Sequence, residues 1–482
     1  MAGFRVVLFG TGAFYERYKT LAFGTDTVLA LADNDIAKQG HVIDGIPVVA
    51  PAELCALEYD FVVLLLSYEN AILVFGQIAS LGVPKEKILF YDDYIVLRSG
   101  GKHRVFAPEP PVKVALVTTD LSYGGGTIAL ISAARALLGG RFSVTIVTPQ
   151  ADAALVSEVN GYGITVVEYP AFYKMGKDEL DWIQGFDFAV VNTFQMIDCA
   201  VKISGVVPML WWLHEPSEKP CMIYPNTLAR YASYLGDPRI RRIPVFAVSS
   251  VPLRAFCGHF SGCDAQILPY CVKDEAFPSA ARQEKVSGRH ITFALIAGFS
   301  PLKNQTLFLK AAGMLNKARP GLCRFLLVGR AGATDYAKEV LFMAEHTAGV
   351  EVRGLLSRQQ MKKAYEDEID VVVCPSQIES LPTVIAEGMM WSKLCICSDN
   401  TGMSDYIKDG DNGFLCRMGS PDSLYEKMRY CAEHFDALEQ VREQARKTYE
   451  NNFSMGIFSR RLEKAISRIL KDAREGEADN VR

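Results

Sequence analysis

The strongest constraint on this chain is a pattern that recurs three times: short, mostly apolar runs separated by stretches with helical spacing. FRVVLFG, TVLALAD, YDFVVLLLS and KILFYDD form the first set. VKVALVTTD, FSVTIVTP, ITVVEYP, FAVVNTF, MLWWLHE and PVFAVSS form the second; ITFALIAGF, RFLLVGR, VEVRG, DVVVCPS, KLCICSD and GFLCR form the third. A strand with one wet face alternates apolar and polar residues, whereas most of these runs, such as FVVLLL, MLWWL and DVVVC, are apolar over consecutive positions. They belong between two covering layers, and the helical stretches supply the crossovers that parallel neighbours need. The pattern predicts an α/β protein with parallel sheets, and 482 residues accommodate about three domains at roughly 150 residues each.

Residues 1–100 read as a small first domain. The segment 99–111, SGGKHRVFAPEPP, combines glycines, basic residues and prolines and reads as a linker. Residues 112–275 and 276–452 form the second and third domains, divided near the polar stretch SAARQEKVSGRH. Residues 453–475 close the chain as a helix on which Phe458, Leu462, Ile466, Ile469 and Leu470 share one stripe, which must dock on another surface.

Composition removes several function classes. With 49% hydrophobic and 22% charged residues the chain is not disordered, and a formal charge of -4 gives no footprint for nucleic acid. No apolar run approaches the ~20 residues of a membrane span. The amino terminus enters a strand pattern at once, which predicts a cytoplasmic protein without a secretory leader. The twelve cysteines include no C-x-x-C pair, and no acid, histidine or cysteine cluster has metal-ligand spacing. Buried thiols are expected, with no bound metal and no cofactor.

The most informative stretch runs from Cys374 to Asn412. A strand ends at Pro375-Ser376, a loop carries Glu379 to Pro382, and a helix begins around Thr383. The amides of Leu381, Pro382, Thr383 and Val384 then surround a helix N-terminus above a strand end, which is a ready diphosphate site. Glu387, about one turn inside the helix, can accept hydrogen bonds from two vicinal hydroxyls, as on a ribose. Apolar neighbours Val384, Ile385, Met389 and Met390 argue that this acid is not freely solvated. Earlier in the chain, DLSYGGGTIALISAARALLGG ends a strand in three glycines, and Gly125 and Gly126 allow close backbone approach to a phosphate or sugar.

The spacing of Glu379 and Glu387, E-x7-E, with the strand that follows and the turns at Gly402 and Asn412-Gly413, closely resembles family-4 retaining glycosyltransferases. The resemblance spans Val112 to about Glu475, some three quarters of the chain. It implies a GT-B fold, two facing Rossmann-like domains with a donor-binding carboxyl-terminal half, preceded here by a third small Rossmann-like domain. It implies that Lys303, in ALIAGFSPLKNQTLFLKAA, contacts the donor diphosphate. It also implies that Glu379 orients the sugar hydroxyls and that His214, after LWWL, faces the sugar from the other lobe. The family often has an arginine where this chain has Gly298, and Arg330 is a candidate to compensate. Ser249 matches a common cleft-side serine position. The final helix is expected to cross back to the amino-terminal lobe.

The first domain carries Gly10-Thr11-Gly12 after its first strand, but the third glycine position of a G-x-G-x-x-G fingerprint is Tyr15. Gly10 and Gly12 are therefore candidates only. The segment ADNDIAKQGHVIDGIPVVAPAEL resembles the small domain that precedes sugar N-acyltransferases, and Asp33-Asn34-Asp35 reads as a strand-end turn rather than a metal motif.

The expected activity is retaining transfer from a nucleoside diphosphate sugar to a cell-surface polysaccharide or lipid-linked glycan. The rival readings are a GT-B nucleotide-sugar epimerase and a non-enzymatic nucleotide-sugar-binding accessory protein. Tyrosines and arginines interleaved over Met222 to Pro244 could rest on anionic lipid headgroups, giving peripheral contact with the inner face of a membrane.

Overall fold

In a computed structural model of the chain the described residues are 3–19, 26–66, 68–91, 93–94, 112–122, 124–138, 141–169, 182–216, 227, 229, 232–234, 236–276 and 290–480. The linker at 99–111, the glycine pair at 139–140 and residues 279–289 lie outside them. So do Tyr224, Arg230 and Tyr231 of the tyrosine- and arginine-bearing stretch. Two compact units divide the chain: residues 1–113 with 134–144 and 160–164, and residues 114–133, 145–159 and 165–482.

The first sheet contains β1 (Arg5–Phe9), β2 (Thr27–Ala32), β3 (Val42–Ile43), β4 (Ile46–Val49), β5 (Phe61–Leu64) and β6 (Ile88–Phe90), in the order β3-β4-β2-β1-β5-β6. All its pairings are parallel except the hairpin β3–β4. Asp44 and Gly45 take φ of 50° and 80° in that hairpin, the positive values a two-residue type I′ turn demands. Val7, Phe9, Val62 and Leu64 are buried on one face, while Val6, Leu8, Val63 and Leu31 are buried on the other. Continuous apolar runs were needed because both faces are covered.

The second sheet contains β7 (Val112–Val117), β8 (Phe142–Thr148), β9 (Thr165–Glu168), β10 (Phe188–Asn192), β11 (Met209–Leu213), β12 (Val245–Ala247) and β13 (Ala265–Ile267). Its order is β13-β12-β11-β10-β7-β8-β9. Adjacent residues of a strand face opposite ways, and β11 uses this to anchor two layers. Trp211 stacks on Phe194 at 5.5 Å, while Trp212 stacks at 5.6 Å on Phe458 of the last helix, Met455–Asn480. Both indole N–H groups are satisfied by backbone carbonyls, of Thr193 and Leu268. Along the last helix Phe458, Leu462 and Ile466 are fully buried and Ile469 nearly so, whereas Leu470 is half-buried.

The third sheet contains β14 (Ile291–Ile296), β15 (Cys323–Val328), β16 (Val350–Arg353), β17 (Val371–Cys374), β18 (Leu394–Ser398) and β19 (Phe414–Cys416), in the order β16-β15-β14-β17-β18-β19, all parallel. The helix Thr383–Met390 lies on it, and Gly388 makes this close approach feasible. A Cβ there would stand 2.8 Å from Val372 Cγ2 and 2.9 Å from Cys395 Sγ. No helix among the described residues is long and apolar enough to cross a membrane.

Candidate active site

A cavity of about 300 Å³ lies at the carboxyl ends of β14 and β17, the end at which open α/β sheets bind ligands. Lys303, Glu379, Gly125, Tyr270, Gly298 and the segment Leu381 to Val384 contribute to its wall.

The wall is held in place by backbone geometry. Pro382 caps the helix Thr383–Met390 with φ of -66°, which pre-sets the entry angle. It has no N–H, so of the four amide positions anticipated here only Leu381, Thr383 and Val384 supply donors. No acceptor among the described residues takes those three N–H groups. Free amides at the start of a helix carry the positive end of its dipole and favour an anion.

Lys303 closes the turn Pro301–Lys303 and is followed by Asn304 in the left-handed region at φ 59°. Asn304 is tied down by its own side chain, whose Nδ2 donates to Pro375 O at 3.2 Å. Gln305 fastens the preceding loop by donating to Gly298 O at 3.0 Å. So positioned, Lys303 Nζ donates to Glu379 Oε1, which also accepts from Ser376 Oγ at 2.9 Å. The two residues assigned to diphosphate and sugar thus form an ion pair.

Glu387 does not line the cavity. It is half-buried one turn deeper, where Tyr365 donates to its Oε2 at 3.2 Å. Burial raises its carboxyl above the usual range, and the Tyr365 hydrogen bond opposes the rise. No hydrogen bond among the described residues reaches its other oxygen. Tyr270 has both Glu379 and Glu387 as electrostatic neighbours, which after burial help push its phenol well above the ordinary value.

His214 follows β11 and packs against Trp212 at 4.4 Å between ring centroids. Its Nε2 is buried without a hydrogen-bond partner, and burial pushes the imidazole down to about 3, so the ring is neutral. Its backbone is held by Glu215, whose buried carboxylate accepts from the amides of His214 at 3.1 Å and Phe194 at 3.0 Å. Sequence reasoning passed over Glu215, Tyr270, Tyr365 and Ser376. For Tyr270 no local pattern signals a site, because it stands between a three-residue strand and a domain boundary.

The remaining candidates are spread out. Gly125 lines the cavity, whereas Gly126 abuts Asn192, which donates to Gly126 O at 3.3 Å. Ser249 is fully buried: its hydroxyl donates to Ser380 O and accepts from Val251 N at 3.2 Å, so it caps the helix Ser250–His259 and joins two lobes. Arg330 is exposed and outside the cavity lining, although its carbonyl accepts from Phe299 N at 2.9 Å beside Gly298. In the first sheet Gly10 takes φ of 101°, and Gly12 opens a short helix at Ala13–Tyr18. Asp33 there accepts from Thr11 N at 2.9 Å and from Asp35 N at 2.9 Å, which makes Asp33-Asn34-Asp35 a self-satisfied turn.

Comparisons with known proteins bear on this arrangement. Residues 277–448 match the profile of the family described as glycosyl transferases group 1. Residues 3–89 match a second family, described as C2185-like, N-terminal. A Bacillus subtilis protein named as a glycosyltransferase, EpsD, is 31% identical over 163 residues, covering 31% of this chain and 40% of that protein. The lipopolysaccharide 1,2-N-acetylglucosaminetransferase of Salmonella typhimurium is 27% identical over 236 residues, 47% of this chain and 58% of the other. The chain therefore spans less than two thirds of either curated relative. Among solved structures, Anabaena Alr3699/HepE in complex with UDP-glucose superposes with a TM-score of 0.60 at 19% identity, over 74% of this chain and 99% of that one. That likeness is one of fold. The chain accordingly has a GT-B fold like that of solved glycosyltransferases, and its residues 277–448 match the glycosyl transferases group 1 profile.

Proposed function

We propose that the protein is a retaining glycosyltransferase that moves a sugar from a nucleoside diphosphate sugar to a glycan acceptor. One observation carries the reading: Lys303, Glu379 and the free amides of Leu381, Thr383 and Val384 converge on one cavity at the strand ends. A cation and a helix N-terminus together suit a diphosphate, whose charge grows as the sugar departs. Glu379 then exchanges its contact with Lys303 for the sugar hydroxyls, and the free oxygen of Glu387 takes the ribose. Neutral His214 faces the sugar as a hydrogen-bonding ring rather than as a second cation. Transfer on one face lets the departing phosphate oxygen take the proton of the acceptor hydroxyl, so no protein nucleophile is called for.

The likeness to a lipopolysaccharide N-acetylglucosaminetransferase and to a structure holding UDP-glucose supports a uridine donor and a cell-surface glycan acceptor. The test is thermal-shift screening of the full chain against UDP-, GDP- and ADP-sugars, followed by transfer assays with the stabilising donor. A lack of stabilisation by every nucleotide-sugar would overturn the proposal.

A further inference from the structure

Tyr270 takes no part in the scheme above, yet it lines the same cavity as Lys303, Glu379 and the Leu381 to Val384 segment. Its side chain is 7% exposed. The ring lies nearly parallel to the His214 imidazole, at 15° with centroids 6.4 Å apart. None of the hydrogen bonds among the described residues involves its hydroxyl. The ring is packed away, but the hydroxyl is not among the enclosed polar atoms of the described residues that lack a partner, so it reaches the cavity space. A phenol hydroxyl that opens into the cavity and is not used within the protein is available to donate to a ligand that enters.

The chemistry of the surroundings selects which part of the ligand that is. Glu379 and Glu387 are the acids near Tyr270, and carboxylates serve sugar and ribose hydroxyls, which can donate to them. Phosphate oxygens only accept, so they require donors. Lys303 is the one cationic side chain among the described lining residues, and the position beside the strand end, Gly298, carries no side chain. A diphosphate there depends on neutral donors to complete its shell.

We propose that the Tyr270 hydroxyl donates a hydrogen bond to a diphosphate oxygen of the nucleotide-sugar, beside Lys303 and the amides of Leu381, Thr383 and Val384. This rests on the reading of the cavity as a nucleotide-sugar site. Tyr270→Phe keeps the ring against His214 and deletes only the hydroxyl. The probes are UDP, GDP, ADP and dTDP, titrated calorimetrically into the full chain and the variant. For the nucleotide that the wild type binds best, Tyr270→Phe should weaken binding about 10-fold or more, the scale of a hydrogen bond to a charged group, with Tm unchanged. Unchanged affinity would overturn the Tyr270 assignment and leave the nucleotide-sugar reading standing. That outcome includes a variant whose only defect is with the intact nucleotide-sugar. A large fall in Tm would show that the hydroxyl has a protein partner and would equally overturn it. Wild-type protein that binds none of the four nucleotides would remove both readings.

Discussion

The Nζ of Lys303 donates to Oε1 of Glu379 across 76 residues of chain, in the wall of a cavity that also exposes the start of a helix. The pair is partly wet, with side-chain exposures of 34% and 17%, so its own contribution to stability is small. Its importance is positional. Each member keeps the other aimed at the cavity, and under the function we propose an incoming diphosphate replaces the carboxylate as the partner of Lys303.

Lys303→Ala should therefore cost catalysis far more than folding. Losing a charge-assisted contact to the leaving group is worth roughly 1.5–3 kcal/mol, or about 10- to 150-fold in transfer rate. Steady-state kinetics at saturating donor measure this directly. Turnover equal to wild type would show that Lys303 does not meet the departing phosphate.

Glu387→Gln separates ligand binding from folding, and its sign can be worked out. Burial raises the folded carboxyl above its ordinary value of 4.5, so the folded state holds that proton more tightly than the unfolded one. The contribution of this group to stability then declines as pH rises from the ordinary value through the raised one, and the cost stays in full above it. Removing the charge should leave Tm unchanged near pH 4 and raise it at pH 7, while donor affinity falls. Calorimetric melting at both pH values, with nucleotide titrations, tests both halves. A variant that unfolds at pH 7 would make the acid structural.

Much of this was legible in the sequence, for reasons that can be traced to particular residues. Runs such as Val371–Cys374 and Met209–Leu213 are apolar throughout because both faces are covered, so strand positions followed from pattern alone. Glu379 and Glu387 stood out because a loop, a helix start and two carboxylates stand at fixed spacing within one strand–loop–helix unit, whereas Lys303, in an earlier unit of the same kind, was singled out by family resemblance. The hairpin at Val42–Val49 carried an Asp44-Gly45 signal that went unread among the longer runs. What pattern could not supply was long-range. Tyr365 meets Glu387 across 22 residues, and Ser249 meets Ser380 across 131. No local periodicity encodes such pairs, and Ser249 resembled a ligand-facing serine when it is a buried cap.

His214 should make the protein acid-labile in a defined window. Its folded value of about 3 lies below the ordinary 6.5, so under acid the unfolded chain takes up a proton that the folded one refuses. Stability from this group is complete above about pH 6.5 and is lost progressively as pH falls toward 3. His214→Phe keeps an aromatic ring against Trp212 and removes the titration. The drop in Tm between pH 7 and pH 5 should shrink in the variant. An identical drop would mean that the buried imidazole is not the group responsible.

The junction at Gly402 provides the most direct test of how the two lobes of the larger unit are joined. A Cβ at Gly402 would lie 1.7 Å from Ser380 O, 2.1 Å from Ser249 Oγ and 2.4 Å from Ser249 Cβ. None of these can swing aside cheaply: one is backbone, and the others belong to a side chain bonded to Ser380 O and to Val251 N. Next to them Ser250 donates from N at 2.8 Å and from Oγ at 2.7 Å to the carboxylate of Asp405. Gly402 N in turn donates to Glu379 O at 2.9 Å, so displacing this residue also shifts the acid that faces Lys303. Gly402→Ala should destabilise by roughly 1–3 kcal/mol through overpacking and lower transfer as well. Ser249→Ala removes the capping hydroxyl without adding atoms and should cost about 1 kcal/mol. Denaturant melts of the two variants beside transfer rates decide the matter. Gly402→Ala with wild-type stability and rate would mean that Ser249, Ser380 and Gly402 do not meet in solution as they do here.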